Sequence, residues 1–281
     1  STMDFINDLL QYGYLGNAFW ASILSGISCA LVGLYVVARR MVFLAGGITH
    51  TSFGGLGIAF YFGLNPIWGA TLFALIAGWG IEWSSRQGRI REDSAIGIVW
   101  SVGMAIGALF MSLRSGYTSG DMANYLFGSI VTVTRADVVA LALLVLLLVV
   151  GALCWLRPIF FTAFDREYAQ SQGLPTRLIS YLMSAVVALA IVLSIRVMGI
   201  VLLLSLLTLP VVIANTLSRD YRRLVVVAPL VGVVGNLIGL LASYYLEVPP
   251  GAAIIFTLSI ALIATKIAYL CRLKLKIAQK S

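Results

Sequence analysis

Charge is the scarcest property of this 281-residue sequence. Asp, Glu, Lys and Arg together make up 11% of it, whereas a soluble domain carries about 25%. Histidine occurs once and cysteine three times. Cys29, Cys154 and Cys271 form no CxxC pair and fall within or at the end of apolar segments, so they read as packing residues and not as disulfides or a zinc site. There is no GxxxxGK(S/T) loop, which excludes ATP binding by a P-loop in this chain. A lone histidine with no GxSxG elbow and no HExxH pair also argues against intramembrane hydrolysis. The amino terminus offers Asp4 and Asp8 in place of a basic segment, so no cleaved secretory peptide is expected.

Apolar length is abundant. Hydrophobic residues make up 60% of the chain, and the run from Leu141 to Val150 is unbroken, unlike the strict alternation of a membrane β-barrel. A crossing helix needs about 20 mainly apolar residues. Candidate spans fall near 17–39, 43–63, 67–84, 94–113, 137–157, 177–196, 199–217, 224–246 and 251–271. The sequence therefore predicts an all-α, polytopic transmembrane helical bundle of about nine spans, or eight, as one domain over 1–281. The connections are too short to hold a soluble catalytic domain. Fifteen of the nineteen Lys and Arg fall in the connections after odd-numbered spans and in the carboxyl tail. By the positive-inside rule those parts are cytoplasmic and the amino end is outside. The net charge of +8 thus reports orientation, and no nucleic-acid partner is expected.

Two outer segments stand apart. Phe5, Ile6, Leu9 and Leu10 share a helical face, which suits a helix lying in the interface or a surface-packed fragment. Tyr125 to Ile130, in the long outer connection, is apolar enough to dip into the membrane and form a pathway wall.

The largest cytoplasmic connection, over 158–176, holds the signals of a short helix. Asp165 can cap the first amides, Glu167 sits in the favourable first turn, Gly173 can take the left-handed position and Pro175 prevents continuation. One reading is an interfacial helix that merely joins two spans. The other is a helix that lays Phe164, Tyr168 and Ala169 into a groove on a cytoplasmic partner.

Phe164-Asp165 followed by Ala169 and Gly173 resembles the coupling helix of the membrane permeases of metal-cation ABC importers, which take up zinc, manganese or iron. Four further segments agree in order: Arg39-Arg40-Met41 through Gly47-Ile48-Thr49-His50, Leu126 to Ile130, Val197 to Pro210, and Pro249 with Gly251-Ala252-Ala253. The resemblance implies a homodimeric permease of the bacterial cytoplasmic (inner) membrane. It implies as partners a dimer of ATPase subunits that hydrolyse ATP separately, and an extracytoplasmic metal-binding protein. The permease would be no enzyme and carry no covalently bound cofactor. A transition-metal ion would be its transported substrate.

His50 lies inside a predicted span, where polar side chains are costly and by default functional. Neutral imidazole is a good ligand for zinc, manganese or iron; the alternative is a histidine bonded across a tight helix contact. Thr49, Thr51 and Ser52 are its polar neighbours. The resembled family has an aspartate four residues earlier, on the same helical face. Here that position is Gly46, so a carboxylate must come from Asp121, Glu247 or a second copy, unless the cargo is a metal complex. Gly46, Gly47, Gly54, Gly55 and Gly57, with the pairs Gly103/Gly107 and Gly235/Gly239, permit close helix packing. Pro210 interrupts a span as a static kink or a hinge. Met104, Met111 and Met198 read as packing, and Asn215 and Asn236 as buried amides bonding between helices. A rival function is an ion-gradient-driven transporter of a small organic solute, which would place coupled carboxylates near the midplane.

Overall fold

A 30 Å hydrocarbon layer dictates how the apolar runs are used, and the computed structural model shows the outcome for residues 13–87, 90–114 and 133–278. Helices occupy nearly all of them: α1 (Gly13–Ala38), α2 (Val42–Tyr61), α3 (Pro66–Gln87), α4 (Glu92–Leu113), α5 (Arg135–Phe164), α6 (Arg166–Ser171), α7 (Thr176–Leu217), α8 (Tyr221–Leu246) and α9 (Pro250–Ala278). Seven of these, all but α3 and α6, are long and apolar enough to cross a membrane. The expected amino-terminal interfacial helix and the dip at 125–130 lie outside the described residues.

Helix α7 holds 42 residues, about 63 Å at 1.5 Å per residue, twice the hydrocarbon thickness of about 30 Å. It accordingly turns back on itself. Gly199 has φ 75° and ψ 167°, a conformation reserved for glycine. Thr176, at one end, accepts a hydrogen bond from Arg86. Asn215, near the other end, lines a cavity of about 510 Å³ together with Arg39 and Arg40. Both ends thus reach the same side of the bundle, the one expected to be cytoplasmic, while Met198 lies beside Ser22 and Pro250 towards the opposite side. The two spans expected at 177–196 and 199–217 are therefore separate crossings that meet at Gly199. Among the described residues seven helices are thus long and apolar enough to cross, and one of them, α7, supplies two arms that meet at Gly199.

Missing side chains let α2, α3 and α4 pack as a unit. Gly55 of α2 and Gly69 of α3 meet backbone to backbone. A methyl group at Gly57 would lie 2.7 Å from the Gly107 carbonyl oxygen of α4. Gly103 fits against Thr51, and Gly235 and Gly239 of α8 receive Leu258 and Ile254 of α9. Helix α1 and the two arms of α7 form the centre, where Gly33 abuts the Leu207 carbonyl and Ile191, Leu203 and Leu206 are fully buried. Met111 and Met198 are buried too. Asn236 is buried and donates to the Ser22 carbonyl at 2.8 Å, joining α8 to α1. Asn215 departs from expectation: it is exposed, because the last turn of α7 has already left the apolar core for the cytoplasmic cavity.

Helix α5 begins outside with a capping box in which Thr134 and Asp137 exchange hydrogen bonds. Asp137 also pairs with Arg196 at 3.3 Å, tying α5 to the α7 turn. The crossing part of α5 ends where Trp155 leaves helical geometry and Pro158 follows, close to the boundary expected at 157.

Candidate functional site

The membrane-embedded half of the site is a stacked pair. His50 sits eight residues into α2, about 12 Å along its axis, well inside the hydrocarbon region. Its ring lies 4.1 Å from the Trp100 ring of α4, centroid to centroid, at an interplanar angle of 12°. The Nδ1 atom is buried and has no hydrogen-bond partner among the described residues. Gly46 faces the same indole: a Cβ there would lie 3.0 Å from Trp100 Cζ3. The position at which the resembled family carries an aspartate is thus covered by an aromatic ring. Both His50 and Trp100 are only half-buried.

The other residues expected at the pathway are not gathered around His50. Thr49 is fully buried on a different face of α2 and donates to the Ala45 carbonyl at 2.6 Å. Thr51 donates to the Val99 carbonyl at 3.0 Å and fastens α2 to α4. Gly47 packs on Ile96, and Pro210 is buried in α7. Glu247 stands exposed at the C-cap of α8 in left-handed geometry, φ 54°. Asp121 lies outside the described residues. Among the described residues no group of three His, Cys, Asp or Glu side chains is placed to hold a metal ion.

The second half of the candidate site is α6. Asp165 breaks the helix with φ −147° and caps the next one, accepting from the Tyr168 amide at 2.9 Å. Gly173 takes φ 75° and the Leu174 amide donates back to the Ala169 carbonyl at 3.1 Å, so the helix closes as its sequence signals require. Phe164 and Tyr168 are exposed, by 65% and 49%, and Glu167 is exposed as well. Ala169 corrects the expectation: it is completely buried. It lies on the opposite face of the two-turn helix, and its methyl group seats α6 on the rest of the chain. The exposed face of α6 is therefore formed by Phe164, Glu167 and Tyr168.

Glu82 does not stand out in the sequence as a site residue. It is 1% exposed at the cytoplasmic end of α3 and takes three guanidinium groups. Arg39 reaches it at 2.9 Å, Arg86 at 3.0 Å and Arg166 at 3.0 Å. Arg39 also donates to the Tyr35 hydroxyl at 3.1 Å. Burial lowers the pKa of the Arg166 guanidinium from its ordinary value, and Glu82 opposes that by favouring the charge; it stays protonated throughout the physiological range. A signal was present in the sequence: Glu82 is an acid within a predicted span with Arg86 one helical turn away, and a carboxylate in a span is costly unless paired.

The chain as a whole is similar to known proteins. The profile of the ABC 3 transport family matches residues 11–268. The chain belongs to the ABC 3 transport family. This ABC 3 chain is 37% identical over 252 residues to an uncharacterised membrane protein of Synechocystis, with 90% of this chain and 89% of that one covered. It is 31% identical to the manganese transport system membrane protein MntC of Halalkalibacterium halodurans, covering 91% and 87%. With a probable metal transport system membrane protein of Treponema pallidum it shares 36% identity, covering 86% and 91%. The structure of PsaBC from Streptococcus pneumoniae in complex with Fab superposes with TM-score 0.84 at 24% identity, over 94% of this chain and 95% of that one. That likeness is one of fold. The ABC 3 chain is a multi-pass permease of the bacterial inner membrane, and the resemblance read from its sequence is to its own family.

Proposed function

We propose that two copies of this chain form the channel of an importer for a divalent transition-metal ion, zinc, manganese or iron. An extracytoplasmic binding protein delivers the ion, and a dimer of separate ATPase subunits docks on the 158–176 segment of each copy. The observation that carries this reading is α6: a capped cytosolic helix presenting Phe164 and Tyr168 to water, in a chain with no nucleotide-binding loop of its own. Exposed aromatics on a short, rigid helix are the anchors that a groove on a partner would take. The metal is supported by the names of the relatives from Halalkalibacterium halodurans and Treponema pallidum.

A second copy is supported by the half-exposure of His50 and Trp100. An imidazole open to lipid is costly, and a partner helix or a water-filled path removes that cost. ATP-driven movement of α6 would then change the access of this surface from outside to inside. The alternative cargo, a metal complex, is favoured by the indole stacked on His50 beside Gly46. That wall offers one imidazole and an aromatic face and no carboxylate.

The test is reconstitution in vesicles with the cognate ATPase and binding protein, supplying zinc, manganese or iron in turn. ATP-dependent accumulation of one of them is the expected result, and Tyr168→Ala should release the ATPase. Cargo moved by the chain alone on a proton or sodium gradient would overturn the reading.

A further inference from the structure

Glu82 does more than satisfy a helix end. Its carboxylate joins three separate pieces of chain: the turn after α1 through Arg39, α3 itself through Arg86, and the first residue of α6 through Arg166. The pair with Arg166 spans 84 positions of sequence and is an ion pair linking the docking helix to α3. Helix α3 is in turn locked to α2 where Gly55 meets Gly69, and α2 to α4 at Gly57 and Gly107. His50 and Trp100 ride on α2 and α4. A continuous line of stiff contacts therefore runs from the cytosolic helix to the stacked pair in the membrane.

Other links from α6 to α3 are less direct. Gln170 donates to the Thr176 hydroxyl at 3.1 Å, and Ala169 is buried at its foot; the first contact leads into α7. Without the Arg166 bridge, α6 would stay capped by Asp165 and attached to α5 and α7, and its remaining tie to α3 would be the indirect one through Thr176, whose carbonyl accepts from Arg86 at 3.4 Å. The burial of the carboxylate makes this link strong. Side-chain exposure is 1% for Glu82 and 28% for Arg166, so the pair is less weakened by water and salt than a surface ion pair.

We infer that Glu82, acting through Arg166, is a positioning residue that fastens the docking helix to the α2–α4 unit and so transmits ATPase movement to the His50–Trp100 surface. This rests on the reading of α6 as the ATPase docking element.

Arg166→Ala is the informative variant, because Glu82 keeps Arg39 and Arg86 and the fold keeps its buried charge compensated. The assembled complex in lipid nanodiscs is spin-labelled in a background with Cys154 and Cys271 changed to Ser. One label pair, at Gln172 and Arg219, follows the cytosolic helix; the other, at Phe62 and Leu246, follows the outer ends of α2 and α8. ATP with vanadate is the trigger, so the readout is independent of the cargo. In Arg166→Ala the cytosolic distance should still change, whereas the outer change should fall to less than half of the wild-type shift. Arg166→Lys, which can still reach the carboxylate, should recover most of it. A purely stabilising role would lower the yield of protein and leave both shifts in proportion.

An outer shift of wild-type size in Arg166→Ala overturns the inference, as does loss of both shifts together. Tyr168→Ala separates the two levels. If it leaves the ATPase bound, the docking reading itself falls. If it releases the ATPase while Arg166→Ala transmits the full outer shift, only the role of Glu82 falls.

Discussion

Placing a carboxylate at Gly46 tests the geometry of the membrane site directly. A Cβ at that position would lie 3.0 Å from Trp100 Cζ3 and 3.8 Å from Leu204 Cδ2. Carbon atoms prefer about 3.5–4.0 Å, so even the first atom of an aspartate must push the indole back by about 0.5 Å, and its carboxyl group must displace the ring from His50. Overpacking of this kind costs about 1–3 kcal/mol, and loss of an aromatic stack about 0.5–1.5 kcal/mol. Gly46→Asp should therefore be destabilising with Trp100 present and much less so in Trp100→Ala. The double-mutant cycle should show a favourable coupling of about 1–3 kcal/mol. The double variant alone should then place Asp and His one turn apart on an open face of α2, and manganese(II) should raise its unfolding midpoint. The assay is unfolding of the detergent-solubilised wild type, both single variants and the double variant, each with and without manganese(II). Additive effects within about 0.5 kcal/mol, or manganese stabilisation of Gly46→Asp with Trp100 intact, would refute the reasoning.

His50→Ala should reduce uptake of the transported metal by reconstituted complexes while leaving the amount of assembled complex unchanged; full uptake would make the histidine a packing residue. Gly57→Ala, whose methyl would meet the Gly107 carbonyl oxygen at 2.7 Å, should destabilise the protein by about 1–3 kcal/mol. Gly80→Ala, with nothing within 4 Å, should instead gain up to about 1 kcal/mol from helix propensity, so equal effects at the two sites would count against the packing of α2 on α4. Cysteines at the exposed positions Gln87 and Gln172 should react with an impermeant reagent only from the cytoplasmic side, and one at Phe62 only from outside. The reverse pattern would overturn the topology.

The short helix α6 was largely readable because its determinants are local. Asp165, Gly173 and Pro175 act on backbone groups within a few residues, so their order in the chain dictates where two turns begin and end. The helical spans were readable for a similar reason: apolar length between connections is a one-dimensional property. Ala169 was misjudged because a six-residue helix has no hydrophobic periodicity long enough to show which face is turned inward. Glu82 was missed because an acid near a span end looks solvated until the arginines of two distant segments are seen around it. Gly46 could be recognised as lacking a carboxylate, but not as lying beneath Trp100, 54 residues away.

Apolar length determined that this chain is a bundle of membrane-crossing helices, since the cost of burying charge in lipid acts on each segment separately. Tertiary structure alone decided that α7 folds back at Gly199, that His50 stacks on an indole, and that one buried carboxylate gathers three arginines. Those outcomes depend on which helices approach closely enough to share a surface. Glycine and alanine permit such approaches at many points along this sequence, and only the packed bundle selects among them.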